Sequence, residues 1–156
     1  MNNFSKLSAT IALSALSGAL WAQTVDVQGA WARATVPGQK ATGAFMKLTA
    51  ATGAKLVGAT SPSAAVTEVH EMKMEGSVMQ MRPVQGGVDL PMARATELKP
   101  GGVHIMLMDL KGPLVKGTNV PLTLIFKDRK GVEFKTDVKV PVLLAAPAPM
   151  SMPIAR

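Results

Sequence analysis

The sequence predicts an all-β sandwich, and three observations support this. Short apolar stretches recur from Val25 onward and are separated by Gly- and Pro-containing turn signals, a spacing typical of sandwiches. Charged and apolar side chains alternate from Glu133 to Val140, as on a strand with one buried face. No stretch has the periodicity of a long amphipathic helix.

Nine candidate strands follow from these patterns. They lie at residues 25–34, 43–50, 54–60, 64–73, 78–84, 94–98, 103–110, 119–127 and 132–140. The turns between them include Pro37-Gly38, Glu75-Gly76, Pro100-Gly101-Gly102 and Lys130-Gly131, residue pairs that favour chain reversal. Four aromatic residues are expected to anchor the core, namely Trp31, Phe45, Phe126 and Phe134.

The two ends of the chain have different compositions. Residues 1–22 resemble a signal peptide, with Lys6 before an apolar run that is shorter than the roughly 20 residues of a membrane span. We expect export to a bacterial periplasm, with no stable membrane insertion after cleavage. Residues 23–143 are predicted to form the β-sandwich domain. The Ala/Pro/Met tail, residues 144–156, is predicted to be disordered, although Met150 and Met152 are a candidate second copper site.

Composition excludes several classes of function. The chain has 156 residues, a net charge of +7 and no Cys, so an exported form has no disulfides and must depend on its core. Without a basic run or stacking aromatics, nucleic acid is not an expected partner. There is no Cys nucleophile and no phosphate-binding Gly loop. We therefore expect a monomeric binding protein and not an enzyme.

The segment from His70 to Met108 concentrates the residue types that bind soft metals. It contains both histidines of the chain, His70 and His104. It also contains seven of the eleven methionines, namely Met72, Met74, Met79, Met81, Met92, Met106 and Met108. Thioether and imidazole donors suit Cu(I). Zinc sites normally use Cys, His and carboxylate ligands, calcium and magnesium prefer oxygen, and a blue-copper centre needs a Cys thiolate.

The spacing around Glu75-Gly76 predicts a β-hairpin. With those two residues as the loop, Met72 is opposite Met79 and His70 is opposite Met81, so each pair has Cβ atoms about 4.5–5.5 Å apart. A three-residue loop with a bulge at Gly76 is the alternative, and it shifts the register by one residue.

A second pair lies near the end of the segment. His104 and Met106 are two residues apart in an apolar run, so a strand places them on one face, about 6.5 Å apart. Two such pairs brought together make a His2Met2 site. For each methionine alone, core filling is the simpler interpretation. Glu68, Glu71 and Asp109 are candidate partners that orient an imidazole, or ordinary surface charges.

The pattern His70-x10-Met81, followed after 22 residues by His104-x-Met106, resembles the copper-binding signature of the periplasmic PCu(A)C copper chaperones. Other segments similar to this family are Ala30–Thr35, Thr42–Phe45, Met81–Val84, Leu98–Met108 and Val120–Leu124. The resemblance implies a cupredoxin-like (Ig-like Greek-key) β-sandwich whose Cu(I) ligands are His70, Met81, His104 and Met106.

The resemblance also implies a role in cytochrome c oxidase assembly. The expected partners are the copper-site subunit of the oxidase and a Sco-type thioredoxin-like protein, alone or together. Two alternatives stay open from the residues. The protein sequesters copper for tolerance instead of delivering it, or its methionine-rich face is a docking surface that holds no metal.

Overall fold

Alternating and apolar stretches of the sequence become strands throughout the part of the chain that the structure describes. A computed structural model describes residues 24–148. The strands are β1 (Val25–Arg33), β2 (Ala41–Ala50), β3 (Ala54–Thr60), β4 (Ala64–Glu75), β5 (Val78–Pro83), β6 (Val88–Leu90), β7 (Ala95–Leu98), β8 (His104–Leu110), β9 (Asn119–Asp128) and β10 (Glu133–Leu143). All nine predicted strands are present, with ends that differ by a few residues. The three-residue β6 was not predicted.

The strands follow one hydrogen-bonded path, β5-β4-β8-β2-β1-β10-β9-β3-β6, with β7 beside β8 on the same edge of β2. Only the short β1–β10 pairing is parallel among these named strands, and it joins Ala32 to Val142. The two halves of the path pack around a shared apolar core. No residue between 24 and 148 is helical, and the predicted all-β, cupredoxin-like sandwich is confirmed.

The core lies between the two halves of the path. Its fully buried side chains include Leu48, Leu56, Leu107, Phe126 and Val140, and burial of each such side chain contributes about 1.5–3 kcal/mol. Phe126 stacks on the partly buried Phe134 with ring centroids 5.3 Å apart, so both are core anchors as predicted.

Trp31 and Phe45 are buried, but outside this core. Ala32 and Ala44 belong to the core cluster, and alternation along β1 and β2 therefore turns Trp31 and Phe45 to the opposite face of the sheet. Their rings contact each other there, with centroids 4.6 Å apart. Both are buried as expected of core anchors, but they form a separate cluster on the second face and do not join the main core cluster.

The hairpin of β4 and β5 is present, but its predicted register is wrong. Met72 is opposite Met81, and His70 is opposite Pro83, so the partner of His70 is displaced by two residues from the prediction. Gly76 has φ +63° and occupies the first central position of the turn, which suits a Gly-x type II′ loop. Glu75 is consequently the last strand residue, opposite Val78. The alternative with a bulge at Gly76 is not found either.

Several predictions concern the chain ends. The predicted signal peptide, residues 1–22, lies outside the described residues, as do Met150 and Met152 of the tail. The domain boundaries and the signal cleavage site stay predictions. Within residues 24–148, no helix is long and apolar enough to cross a membrane.

Candidate metal centre

The strand pairings place the four predicted ligands on one face of the sheet. His70 of β4 is directly opposite His104 of β8. Met106 follows His104 by two residues and so shares its face. Met81 of β5 is opposite Met72 and diagonal to His70, a separation of about 7–8 Å that long side chains can bridge.

The two histidines are close together and nearly buried. Their ring centroids are 6.4 Å apart, and each residue is 6% exposed. Nδ1 of His104 donates a hydrogen bond to the carbonyl oxygen of Gly102 over 2.9 Å. This fixes the proton on Nδ1, and the lone pair of Nε2 is free to bind a ligand.

His70 has the opposite arrangement of its ring nitrogens. Its Nε2 donates to Oε2 of Glu68 over 2.9 Å, whereas its Nδ1 is buried with no hydrogen-bond partner. An unsatisfied buried nitrogen costs about 1–3 kcal/mol, and a metal bond would remove that cost. The predicted role of Glu68 as an imidazole partner therefore has a structural basis.

Sulfur donors gather beside the imidazoles. Met72, Met81, His104 and Met106 line one surface cavity together with Phe45 and Arg33. His70 is not among the lining residues of this cavity, although its ring lies next to that of His104. The side chains include three neutral thioethers, the ligand type that selects Cu(I) among the common biological metals. The donor set thus fits a Cu(I) ion.

Oxygen and nitrogen ligands alone do not assemble a site in residues 24–148. There, no group of three or more His, Cys, Asp or Glu side chains is placed to hold a metal ion. The soft donor side chains that lie beside His104 in the cavity are the thioethers of Met72, Met81 and Met106.

Aromatic packing supports the His104 side of the centre. The ring of Phe45 lies 6.1 Å from that of His104, measured between centroids, and the guanidinium carbon of Arg33 lies 5.9 Å from the Phe45 centroid. Phe45 also covers Gly43, where an added Cβ would come within 2.7 Å of its Cζ. Gly43 therefore permits the position of Phe45 beside His104.

Other residues considered from the sequence lie elsewhere. Glu71 points to the opposite face of β4 and forms an ion pair with Arg82 over 2.9 Å. Asp109 is exposed and does not line the cavity. Met108 shares the face of Met106 but is not among the lining residues. Met92 lies beside Ala50, seven residues along β2 from Gly43 and thus about 23 Å away along the strand.

Two residues near the candidate centre were not predicted as part of it. Sequence reasoning left the role of Met72 ambiguous and assigned Phe45 only to the core. The two-residue spacing of His70 and Met72 already indicates a shared face. No local pattern indicates Phe45, because its position beside His104 depends on the pairing of β2 with β8.

Known proteins provide a comparison for this fold and site. The structure is similar to the apo form of DR1885 from Deinococcus radiodurans, with TM-score 0.55 and 31% identity over 92% of this chain and 96% of that one. The Cu(I) form of DR1885 matches with TM-score 0.52 and 33% identity over 78% and 81%. The apo PCuAC domain of PmoF1 matches with TM-score 0.57 and 24% identity over 76% and 94%. The match to PmoF1 shows that this chain shares the fold of a PCuAC domain.

Sequence comparison identifies the family. The putative lipoprotein Lxx21020 of Leifsonia xyli subsp. xyli is 37% identical over 107 residues, which are 69% of this chain and 64% of that protein. The chain thus matches slightly less than two thirds of that relative's length. The family model described as putative lipoprotein LpqE-like matches residues 25–142. The chain belongs to the LpqE-like family of putative lipoproteins.

Proposed function

We propose that this protein is an exported Cu(I) carrier that holds the ion at His70, Met81, His104 and Met106 and passes it to another protein. The observation that carries the proposal is the buried, unpartnered Nδ1 of His70. It lies beside a second imidazole whose Nε2 is free and on a face that also presents thioethers.

The ligand chemistry favours transfer. Neutral imidazole and thioether ligands bind Cu(I) without losing a proton, so the ion can leave without a compensating protonation step. Met81 is 47% exposed, whereas the histidines are nearly buried. An acceptor's donor atoms can displace Met81 first and then take the imidazoles' place. Cu(I) remains Cu(I), and each new bond replaces one that breaks.

The relatives support copper as the cargo. DR1885 is known in a Cu(I) form and is 33% identical to this chain. The copper-bound PCuAC domain of PmoF2 shares the fold at 21% identity. The lipoprotein naming of the LpqE-like family supports an exported, envelope-associated protein. We place this protein in the periplasm and regard it as a carrier without catalytic activity.

The proposed acceptors are the copper-site subunit of cytochrome c oxidase and a Sco-type thioredoxin-like protein. Neither nucleic acid nor a second subunit is needed for this function. Sequestration for copper tolerance uses the same site but requires no acceptor. A docking module without metal uses only the apolar methionine face.

Anaerobic titration with Cu(I) against a chromogenic chelator tests the proposal. Wild-type protein should bind one tight equivalent. Alanine at His70, Met81, His104 or Met106 should each lower the affinity by about 100-fold or more, beyond the effect of losing an outer hydrogen-bond partner. Met92→Leu is the matched control, because Met92 is 61% exposed and lies outside the cavity, and it should bind like wild type.

Two outcomes separate the alternatives. Failure of wild-type protein to compete for Cu(I) would overturn the proposal in favour of a metal-free docking module. Tight binding without transfer to the apo copper domain of the oxidase subunit or to a Sco-type protein would favour sequestration. Transfer that keeps copper as Cu(I) would support delivery.

A further inference from the structure

The outer half of the β4–β5 hairpin carries three methionines that the proposed centre does not use, Met72, Met74 and Met79, in addition to the centre's ligand Met81. Met72 is opposite Met81, and Met74 is opposite Met79. The four side chains lie on the same face as His70. Met72 and Met74 are two and four residues from His70 along β4, and Met81 and Met79 are two and four residues from its partner Pro83 along β5. We call these two opposed pairs the methionine ladder. It leads from the His pair to the tip of the hairpin at Gly76.

The opposite face of the hairpin is polar. It carries Glu71, Lys73, Glu75, Gln80 and Arg82, with Val78 opposite Glu75 as its one apolar side chain in β4 and β5 beyond His70. Glu71 and Arg82 form an ion pair. The thioethers are therefore confined to one face and do not reflect a generally apolar hairpin.

Core filling does not account for the ladder. Met74 is 57% exposed and Met79 is 45% exposed, whereas the two histidines at the inner end are 6% exposed. Along β4, accessibility thus increases from His70 through the half-buried Met72 to Met74, whereas on β5 Met81 and Met79 are about equally exposed. A methionine that fills a core would be buried, so these sulfur atoms are available to an ion from solvent or from a partner.

The backbone pairing brings opposed methionines especially close. The backbone N–H of Met72 donates to the carbonyl oxygen of Gly102, so it points away from β5. On the β5 side, the backbone N–H of Val84 donates to the carbonyl oxygen of Val69. Odd-numbered residues of β4 therefore exchange hydrogen bonds with β5. Met72–Met81 and Met74–Met79 are non-hydrogen-bonded pairs, with Cα atoms about 4.5 Å apart and side chains closer than in the other type. Successive pairs are about 6.8 Å apart.

We propose that Met74 and Met79, with Met72, form an outer all-thioether Cu(I) site through which the ion enters and leaves the His/Met centre. This inference rests on the proposed function. The outer site is weaker than the centre because it lacks imidazole, and it is better exposed. In transfer, bonds from Cu(I) to Met74 and Met79 form as those to the inner ligands break, and neither oxidation state nor protonation changes.

Leucine variants separate sulfur chemistry from apolar docking. Leucine is close to methionine in volume and keeps the apolar surface, but it has no donor atom. The double variant Met74→Leu/Met79→Leu removes two of the three outer donors and leaves Met72, while Met92→Leu removes an exposed thioether far from the hairpin.

The experiment is an anaerobic titration of the full chain with Ag(I), a soft monovalent probe, followed by NMR of ¹³C-methyl methionine. In the wild type, the first equivalent should shift the Met81 and Met106 methyl resonances. The second should shift those of Met72, Met74 and Met79. The double variant should keep the first equivalent at unchanged affinity and lose the second, and Met92→Leu should keep both. The same order is expected with Cu(I).

Two results would overturn the inference. If the Met74 and Met79 resonances stay unshifted through two equivalents, or if the double variant binds the second equivalent as tightly as wild type, the ladder is not a metal site. In both cases the first equivalent still binds, and the proposed function stands. Absence of a first equivalent removes both proposals together.

Discussion

Glu68 accepts a hydrogen bond from Nε2 of His70 over 2.9 Å, and this contact determines which ring nitrogen is available at the candidate centre. Glu68 and His70 are two residues apart on β4, so both lie on the face that carries the methionines. With the proton on Nε2, the lone pair is on Nδ1, the buried atom that has no partner. The carboxylate thus acts as an orienting group for one proposed ligand.

Replacing Glu68 should weaken Cu(I) binding without removing a ligand. For Glu68→Leu we expect a loss in affinity of about 10–100-fold, the usual effect of removing an outer hydrogen-bond partner. Glu68→Gln keeps an acceptor oxygen and should lose less. The competition titration measures both, with Glu71→Gln as a control, because Glu71 pairs with Arg82 on the opposite face. Equal affinities for Glu68→Leu and wild type would refute an orienting role.

For a two-residue loop, the face of each hairpin residue could be predicted from the sequence, but the register could not. Side chains alternate between faces along a strand, so shifting the β4–β5 pairing by two residues leaves His70, Met72 and Met81 on the same face. The exact partners depend on whether Gly76 is the first or second central residue of the turn. Glycine satisfies either position, since it accepts positive φ at both. The predicted ligands therefore remain on one face although His70 is opposite Pro83 and not Met81.

Contacts between distant strands explain what sequence reasoning missed. The pairing of His70 with His104 requires β4 and β8 to be neighbours, which no local spacing encodes. The same is true of Phe45 beside His104, because β2 and β8 are adjacent only in the folded sheet. Trp31 and Phe45 are large aromatic residues of the kind found in cores. They are assigned to the second face because their neighbours in the strands, Ala32 and Ala44, belong to the core cluster.

Methionines in this protein should differ strongly in their effect on stability. Met46 is 2% exposed within the core, so Met46→Ala should lower the free energy of unfolding by about 2–5 kcal/mol. Met92→Leu, at an exposed position, should change it by less than about 0.5 kcal/mol. Urea unfolding followed by circular dichroism measures both values. A nearly neutral effect of Met46→Ala would contradict the placement of Met46 in the core. If the variant is destabilised as expected, it is unsuitable as a control for metal binding.

Gly43 should be required for the aromatic support of the centre. An added Cβ would lie 2.7 Å from Cζ of Phe45, so Gly43→Ala must displace that ring and should cost about 1–3 kcal/mol of stability. Because Phe45 lies beside His104, we also expect weaker Cu(I) binding. Thermal unfolding and the competition titration measure the two effects.

A second substitution tests the cause of the Gly43 effect. Phe45→Leu removes the atom that Cβ would meet, so adding Gly43→Ala to Phe45→Leu should cost much less stability than adding it to wild type. Additive effects of the two changes would contradict direct contact, since residues in contact are expected to show a coupling energy.

Oxidation should distinguish the exposed methionines and reveal which of them bind the ion. Sulfoxide formation follows exposure, so mild peroxide should modify Met74, Met79, Met81 and Met92 before Met46, as judged from their exposure. Saturating Ag(I) should protect Met81, because a sulfur bound to metal is a poor nucleophile, but it should leave Met92 unprotected. Peptide mass spectrometry measures the extent at each site. Equal protection of Met81 and Met92, or none at Met81, would exclude Met81 as a ligand.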